Sequence, residues 1–269
     1  MKFLKEVGRL QRLQHLNLTY NSFRGKLPTN LSYCSQLRVL IVGHNELVGQ
    51  IPDNLSSLSK LVFLRLDVNN VIGNIPAWIG NFSSLYALSL SENNFRGSIP
   101  SELGHLPGLG FFQLSMNNLS GTIPLSIYNK SSLYFFSIAQ NRLHGSLPPD
   151  IGLTLPNLQI FYCAINNFIG AITASFSNAP QLQFLAFNEN GLTGTDPQNL
   201  GRLQGLVRLY INSNQLGYVK DGDLNFLRFL ASCTNLEVLY LNNNYFGGVL
   251  LNSIANLSTQ LDILLSMRI

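Results

Sequence analysis

One asparagine recurs through this chain, at positions 21, 45, 69, 93, 117, 141, 166, 190, 214 and 244. The steps between them are 24 residues five times, then 25, 24, 24 and 30. Around each asparagine sits the same frame. It reads Leu13-x-x-Leu16-x-Leu18-x-x-Asn21-x-Phe23-x-Gly25-x-Leu27-Pro28 in the first unit and Leu85-x-x-Leu88-x-Leu90-x-x-Asn93-x-Phe95-x-Gly97-x-Ile99-Pro100 in the fourth. A short unit kept in register over nearly all of 269 residues restricts the fold to a stack. Each unit is too small to bury its own apolar face and must bury it against its neighbours.

Each frame position has a physical reason. The Leu-x-Leu step has period two, which is a strand with both leucines turned to the core. Stacked units make these strands a parallel sheet. The asparagine follows the strand where the chain turns, and its amide can bond backbone groups that the turn leaves unpaired. The glycine permits positive φ or close backbone approach. The proline ends the next extended piece, because it cannot donate to a ladder. Leucines such as Leu103 and Leu106 point inward from the other side of the unit. The frame therefore specifies an α/β solenoid, the leucine-rich-repeat horseshoe. Its concave face is a parallel β-sheet, its convex side is short helices and loops, and it holds about ten 24-residue repeats. The whole of 1–269 reads as a single solenoid, with one longer repeat at 215–244. There Asp223 could cap a helix that places Leu224, Leu227 and Ala231 on one side.

Composition narrows the function. Hydrophobic residues make up 46% of the chain, too much for disorder, while 11 Pro and 22 Gly break long helices. No stretch has the 18 apolar residues of a membrane span. The net charge of +4 is spread thinly, with no basic cluster for nucleic acid. The four histidines lie in different repeats at different frame positions and lack metal-ligand spacing. Asp67 and Glu92 fall in adjacent repeats and could form a carboxylate pair, but Arg65 is a simpler partner for Asp67. Nothing here requires a cofactor or a metal, and the chain reads as a binding module, not an enzyme.

The cysteines replace apolar residues. Cys34 and Cys233 share one convex slot, and Cys163 takes the second leucine slot of a strand. Cys34 and Cys233 are eight repeats apart, on the order of 40 Å at strand spacing, beyond disulfide reach. Structural thiols are the expectation.

Recognition should fall on the concave strand positions that flank the core leucines. The expected ligand contacts are Phe63, Arg65, Phe111, Gln113, Phe135, Tyr162, Phe184, Arg208, Tyr210 and Tyr240. Aromatics with few charges suit a protein or peptide that buries a large area. The competing reading is a side-chain ladder that only supports the sheet. Asn-x-Ser/Thr acceptor patterns occur at Asn30, Asn54, Asn81, Asn129 and Asn256, in two convex slots that should face solvent. Asn17 and Asn118 also match, but Asn17 lies on the concave strand and Asn118 directly follows Asn117.

The extended frame, as in Leu47-Val-Gly-Gln-Ile-Pro52 and Leu119-Ser-Gly-Thr-Ile-Pro124, resembles the plant-type leucine-rich repeat. Three stretches are narrower still: Glu6-Val-Gly-Arg-Leu-Gln-Arg-Leu-Gln-His-Leu-Asn-Leu-Thr19, Gly222-Asp-Leu-Asn-Phe-Leu-Arg-Phe-Leu-Ala-Ser-Cys-Thr-Asn-Leu236 and Asn252-Ser-Ile-Ala-Asn-Leu-Ser-Thr-Gln-Leu261. They resemble the ectodomains of plant receptor-like serine/threonine kinases. The branch is the immune one that includes the flagellin, elongation-factor and rice bacterial-blight resistance receptors. The resemblance implies an extracellular ligand-binding module at the plasma membrane, in defence signalling, with a co-receptor leucine-rich-repeat kinase as second partner. The family's cysteine-containing cap, membrane helix and kinase domain have no counterpart in these residues, so the chain reads as a truncated receptor with apolar, unprotected ends. Two alternatives are a secreted solenoid that inhibits a pathogen's cell-wall enzyme and a non-functional gene fragment.

Overall fold

The computed structural model describes residues 5–194, 198–248, 250, 254 and 257–266. The chain forms two compact units, Met1–Leu133 and Tyr134–Ile269. In the first unit, three-residue strands follow one another at His15–Asn17, Val39–Ile41, Phe63–Arg65, Ala87–Ser89 and Phe111–Gln113. Each pairs in parallel with the next, so that His15, Val39, Phe63, Ala87 and Phe111 stand in one row. Asn17, Ile41, Arg65, Ser89 and Gln113 stand in another. From the second strand on, the middle residue of each strand and the apolar residue just beyond the strand, such as Leu64 and Leu66, are buried.

The second unit repeats the plan with strands Phe135–Ser137, Ile160–Tyr162, Phe184–Ala186, Arg208–Tyr210, Val238–Tyr240 and Ile263–Leu265. Its core is more aromatic. Phe161, Phe176 and Phe187 pack with ring centroids 5.3–5.9 Å apart, and Phe136 joins at 5.3 Å.

The recurring asparagine does what its place in the frame implies. Asn69 Nδ2 donates to Leu66 O at 3.0 Å and Asp67 O at 3.3 Å in its own turn. It also donates to Val42 O of the previous repeat at 3.1 Å, while its Oδ1 accepts from Leu47 N at 2.9 Å. Asn190 repeats the pattern in the second unit, bonding Cys163 O, Phe187 O and Phe168 N. One amide thus satisfies several backbone groups of two successive turns, which would otherwise be buried without partners.

The residue before each of these asparagines sits in the left-handed region. Val68 has φ 54°, Ile165 55° and His44 52°. A β-branched side chain pays for this conformation. The ladder enforces it: Val68 N donates to Ser91 O at 3.0 Å and Ile165 N to Asn188 O at 2.8 Å.

After the turn the chain extends again and forms a second parallel sheet. In the first unit its strands are Arg24–Gly25, Glu46–Gly49, Asn70–Gly73, Asn94–Gly97 and Asn118–Gly121. In the second they are Arg142–Ser146, Asn167–Ala171, Gly191–Gly194 and Gln215–Leu216. The frame glycine ends or nearly ends each strand, at φ 80° for Gly49 and 77° for Gly97. Pro28, Pro52, Pro76 and Pro100 then precede five-residue 3-10 turns, such as Asp53–Ser57 and Ala77–Asn81. A 3-10 turn suits so short a segment, and it buries an apolar residue such as Leu55 or Ile79 in each repeat. Neighbouring turns approach closely: a Cβ on Gly80 would run into the Glu102 carbonyl of the next turn.

The longer repeat departs from expectation in one respect. Asp223–Phe226 is a 3-10 turn and Leu227–Leu230 an α-turn, with Leu224 and Leu227 buried as the spacing implies. Asp223 is not the helix cap. That position is Gly222, at φ 103°, and the Asp223 carboxylate turns back to accept Tyr218 N at 2.8 Å, Lys220 N at 3.1 Å and Gly247 N at 3.0 Å.

Two stability measurements check this account. Asn69→Ala should lower the unfolding free energy by about 2–4 kcal/mol, because it strands buried backbone groups in two turns. Asn21→Ala should cost clearly less, since Asn21 bonds only Leu18 O and Thr19 O of its own turn. Chemical denaturation midpoints compare the two. Ile165 is 40% exposed, so replacing it with asparagine removes little burial and relieves the left-handed penalty. Ile165→Asn should stabilise by about 1 kcal/mol and raise the thermal midpoint.

Candidate functional site

The face of the first sheet that does not pack on the core carries every expected ligand contact. Each of these strands is three residues long, so its first and third side chains point away from the buried middle residue. In the first unit this places Phe63, Arg65, Phe111 and Gln113 on the open face, all partly exposed. Phe63 meets Tyr86 edge-on at 6.0 Å, and the Arg65 guanidinium lies 6.0 Å from the Phe111 ring. That reach passes over the intervening strand, where Ala87 and Ser89 are small and buried. Ser89 Oγ has no hydrogen-bond partner.

In the second unit the open face gathers Phe135, Tyr162, Phe184, Arg208, Tyr210 and Tyr240. Tyr162, Tyr210 and Tyr240 stand in one row, with the small Ala186 between Tyr162 and Tyr210. The Tyr210 and Tyr240 rings meet edge-to-face at 4.9 Å and 87°. Phe135 leans on Tyr162 at 6.4 Å, and the Arg208 guanidinium lies 5.5 Å from the Phe184 ring. Burial, then the neighbouring Tyr210, pushes the Tyr162 hydroxyl pKa up against the opposing pull of Arg208. The cross-strand contacts that a supporting ladder requires are present. The same rings stay partly exposed, and Arg208 is exposed. Asn212 and Asn242, two residues on from Tyr210 and Tyr240, each hold a buried Oδ1 that accepts no hydrogen bond among the described residues.

A depression of about 610 Å³ opens in the first unit, lined by Asn17, Thr19, Tyr20, Ile41, His44, Arg65 and Asp67. Frame reasoning did not single it out. Tyr20 and His44 occupy the left-handed slot of successive repeats, which turns their rings onto each other at 4.1 Å and 22°. The Asp67 carboxylate does not pair with Glu92. It takes Arg65 Nε at 3.2 Å and has His44 Nε2 at 3.9 Å, with only 10% of its side chain exposed. The signal that could have found this site is the run of polar and aromatic residues in one slot of adjacent repeats.

The acceptor asparagines lie on the turns opposite the sheet. Asn54, Asn81 and Asn129 are exposed, while Asn30 is half-buried, its backbone packed against Gly8. Asn256 lies outside the described residues. Cys34, Cys163 and Cys233 are free and buried. Burial raises all three thiol pKa values, Cys233 to about 11, so they fill space and are not nucleophiles. Among the described residues no group of three His, Cys, Asp or Glu could hold a metal ion, and no helix is long and apolar enough to cross a membrane.

Comparison with known proteins agrees with this geometry. The family described as leucine-rich repeat region matches residues 2–236, and a single leucine-rich repeat matches residues 235–257. A putative receptor-like protein kinase of Arabidopsis thaliana is 50% identical over 60 residues, 22% of this chain and 6% of the kinase. The receptor kinase-like protein Xa21 of Oryza sativa subsp. japonica is 42% identical over 64 residues, 24% of this chain and 6% of that protein. The plant peptide hormone receptor RGFR1, solved in complex with RGF2, superimposes with a TM-score of 0.81 at 29% identity, over 91% of this chain and 38% of the receptor. The chain thus spans well under half the length of these three proteins. With the repeat frame, both sheets and the asparagine ladder in place, the chain belongs to the leucine-rich-repeat family.

Proposed function

We propose that this chain is the ligand-recognition module of a plant receptor-like kinase in defence signalling, displayed on the outer side of the plasma membrane. The ligand is a protein or peptide that lies along the open strand face, and a co-receptor leucine-rich-repeat kinase is the second partner. The observation that carries the reading is the tyrosine row Tyr162, Tyr210 and Tyr240, beside Arg208, on the open face of the sheet. Tyrosine buries a large area at low entropic cost and keeps a hydroxyl for orientation. Arg208 offers a fork of donors to a carboxylate. The similarity to a peptide hormone receptor and to Xa21 supports the same reading. Asn54, Asn81 and Asn129, exposed on the turns, are the expected glycan carriers, with Asn30 and Asn256 in the same two slots.

A displayed random-peptide library selected on the purified chain supplies a measurable ligand. Tyr210→Ala should weaken the selected peptides by about 1–2 kcal/mol, roughly 5- to 30-fold in Kd. The Tyr162, Tyr210 and Tyr240 triple alanine variant should lose binding and keep its far-UV spectrum, with a melting point lowered by the lost cross-strand ring contacts. Unchanged affinity in the folded triple variant would move the site to the face around Phe63 and Phe111.

A further inference from the structure

Asn17 ends the first described strand and points to the open face, where it is exposed. It opens the acceptor pattern Asn17-Leu18-Thr19. Its Oδ1 accepts Thr19 N at 3.1 Å and Thr19 Oγ1 at 2.6 Å. The amide oxygen is therefore held by Thr19, and Nδ2, on the opposite side of the planar amide, donates to nothing among the described residues. That nitrogen is the atom that would bond a sugar. It stands at the lip of the depression formed with Tyr20, His44, Arg65 and Asp67.

The depression has the chemistry that a pyranose ring requires. One wall is the Tyr20–His44 stack, with Tyr20 77% exposed, and it suits the apolar C–H face of a sugar. The floor carries a nearly buried carboxylate, Asp67, whose oxygens accept hydroxyl protons. Arg65 spends only Nε on Asp67, which leaves both Nη groups as donors. The volume of about 610 Å³ falls in the range of roughly 300–1,000 Å³ of clefts that hold small ligands. The exposed acceptors Asn54, Asn81 and Asn129 sit on convex turns instead, away from this cleft.

We infer that Asn17 carries an N-linked glycan and that its innermost N-acetylglucosamine rests in this depression. The inference rests on the extracellular reading above, because only the secretory pathway attaches such a glycan. In the attachment, Nδ2 bonds sugar C1, the C1–O bond to a lipid diphosphate breaks, the diphosphate leaves and the amide gives up one proton. The seated sugar covers Ile41 and Arg65 and closes the start of the first unit's open face. Peptide contact is then left to Phe111, Gln113 and the face of the second unit.

The test is the full chain directed through the secretory pathway of plant cells and mapped by glycopeptide mass spectrometry. Asn17 should be modified together with Asn54, Asn81 and Asn129. Under native conditions an endoglycosidase should release the Asn17 glycan several-fold more slowly than the one on Asn129, and Tyr20→Ala should abolish that difference. Free N-acetylglucosamine disaccharide should bind the Asn17→Gln protein and not the glycosylated one. A bare Asn17 beside an occupied Asn129 overturns the inference, as does equal release from both sites in the parent protein. Saturable binding of the free disaccharide to the glycosylated protein assigns the depression to a soluble saccharide and also overturns it. Bare asparagines at every one of these positions would overturn the extracellular reading along with it.

Discussion

Each turn of this chain is tied to the one before by a single side-chain amide. Asn69, Asn93 and Asn117 each donate to carbonyls of two successive turns and accept a backbone N–H of the earlier one. A strand of three residues forms too few hydrogen bonds to stand alone. The amide adds the missing ones at the sharpest bend, where water is excluded. The rest follows from that tie. The left-handed residue before it is forced by the bend, and the second extended stretch starts from a fixed point. The spacing of the repeat is then set by how much chain is needed to return to the next strand.

Because the frame is closed by leucines, asparagine and glycine, the two outward positions of each strand can vary from repeat to repeat. The two units use that freedom differently. The open face of the first holds a charged group, Arg65 between Asp67 and Phe111, next to the Tyr20–His44 stack. The open face of the second holds three tyrosines and one arginine over small residues such as Ala186. An arginine held by a nearly buried aspartate is a fixed polar feature, while Arg208 lies exposed beside the Phe184 ring.

What was legible in the sequence is what the frame repeats. Leu64 and Leu66, Asn69, Gly73 and Ile75 each recur at fixed spacing, so strand, ladder, turn and buried return could be read from periodicity alone. The second sheet was hidden because only one side of its short strands is fixed. In Asn70–Gly73 Val71 is buried while Ile72 faces out, and the outward positions vary freely. The left-handed slot was hidden for a different reason. It holds Tyr20, His44, Val68, Glu92, Met116 and Gln140, with no common chemistry, because backbone hydrogen bonds and not side chains enforce it. The expected ligand contacts were legible as a set of outward positions. The pairing of Arg65 with Asp67 was legible too, two residues apart on one strand face, but the reach of the same guanidinium to Phe111 was not, since it passes over the small Ala87 and Ser89 of the intervening strand.

The longer repeat shows how the stack tolerates insertion. Asn244 still donates to Ile211 O at 2.9 Å and accepts Leu216 N at 3.1 Å, so the ladder bridges thirty residues as it bridges twenty-four elsewhere. The strands on either side stay in register, Tyr210 opposite Tyr240. The extra chain is gathered by Asp223, whose buried carboxylate draws the N–H groups of Tyr218, Lys220 and Gly247 onto one oxygen. Burial alone would raise its pKa, but the three backbone donors and Lys220 outweigh that and hold it below the ordinary value. A carboxylate with a depressed folded pKa stabilises at every pH above its unfolded pKa, and the stabilisation fades only as pH falls through the folded value. The knot therefore keeps its hold through mildly acidic and neutral conditions alike. The insertion changes the edge of the stack while leaving the tyrosine row in place.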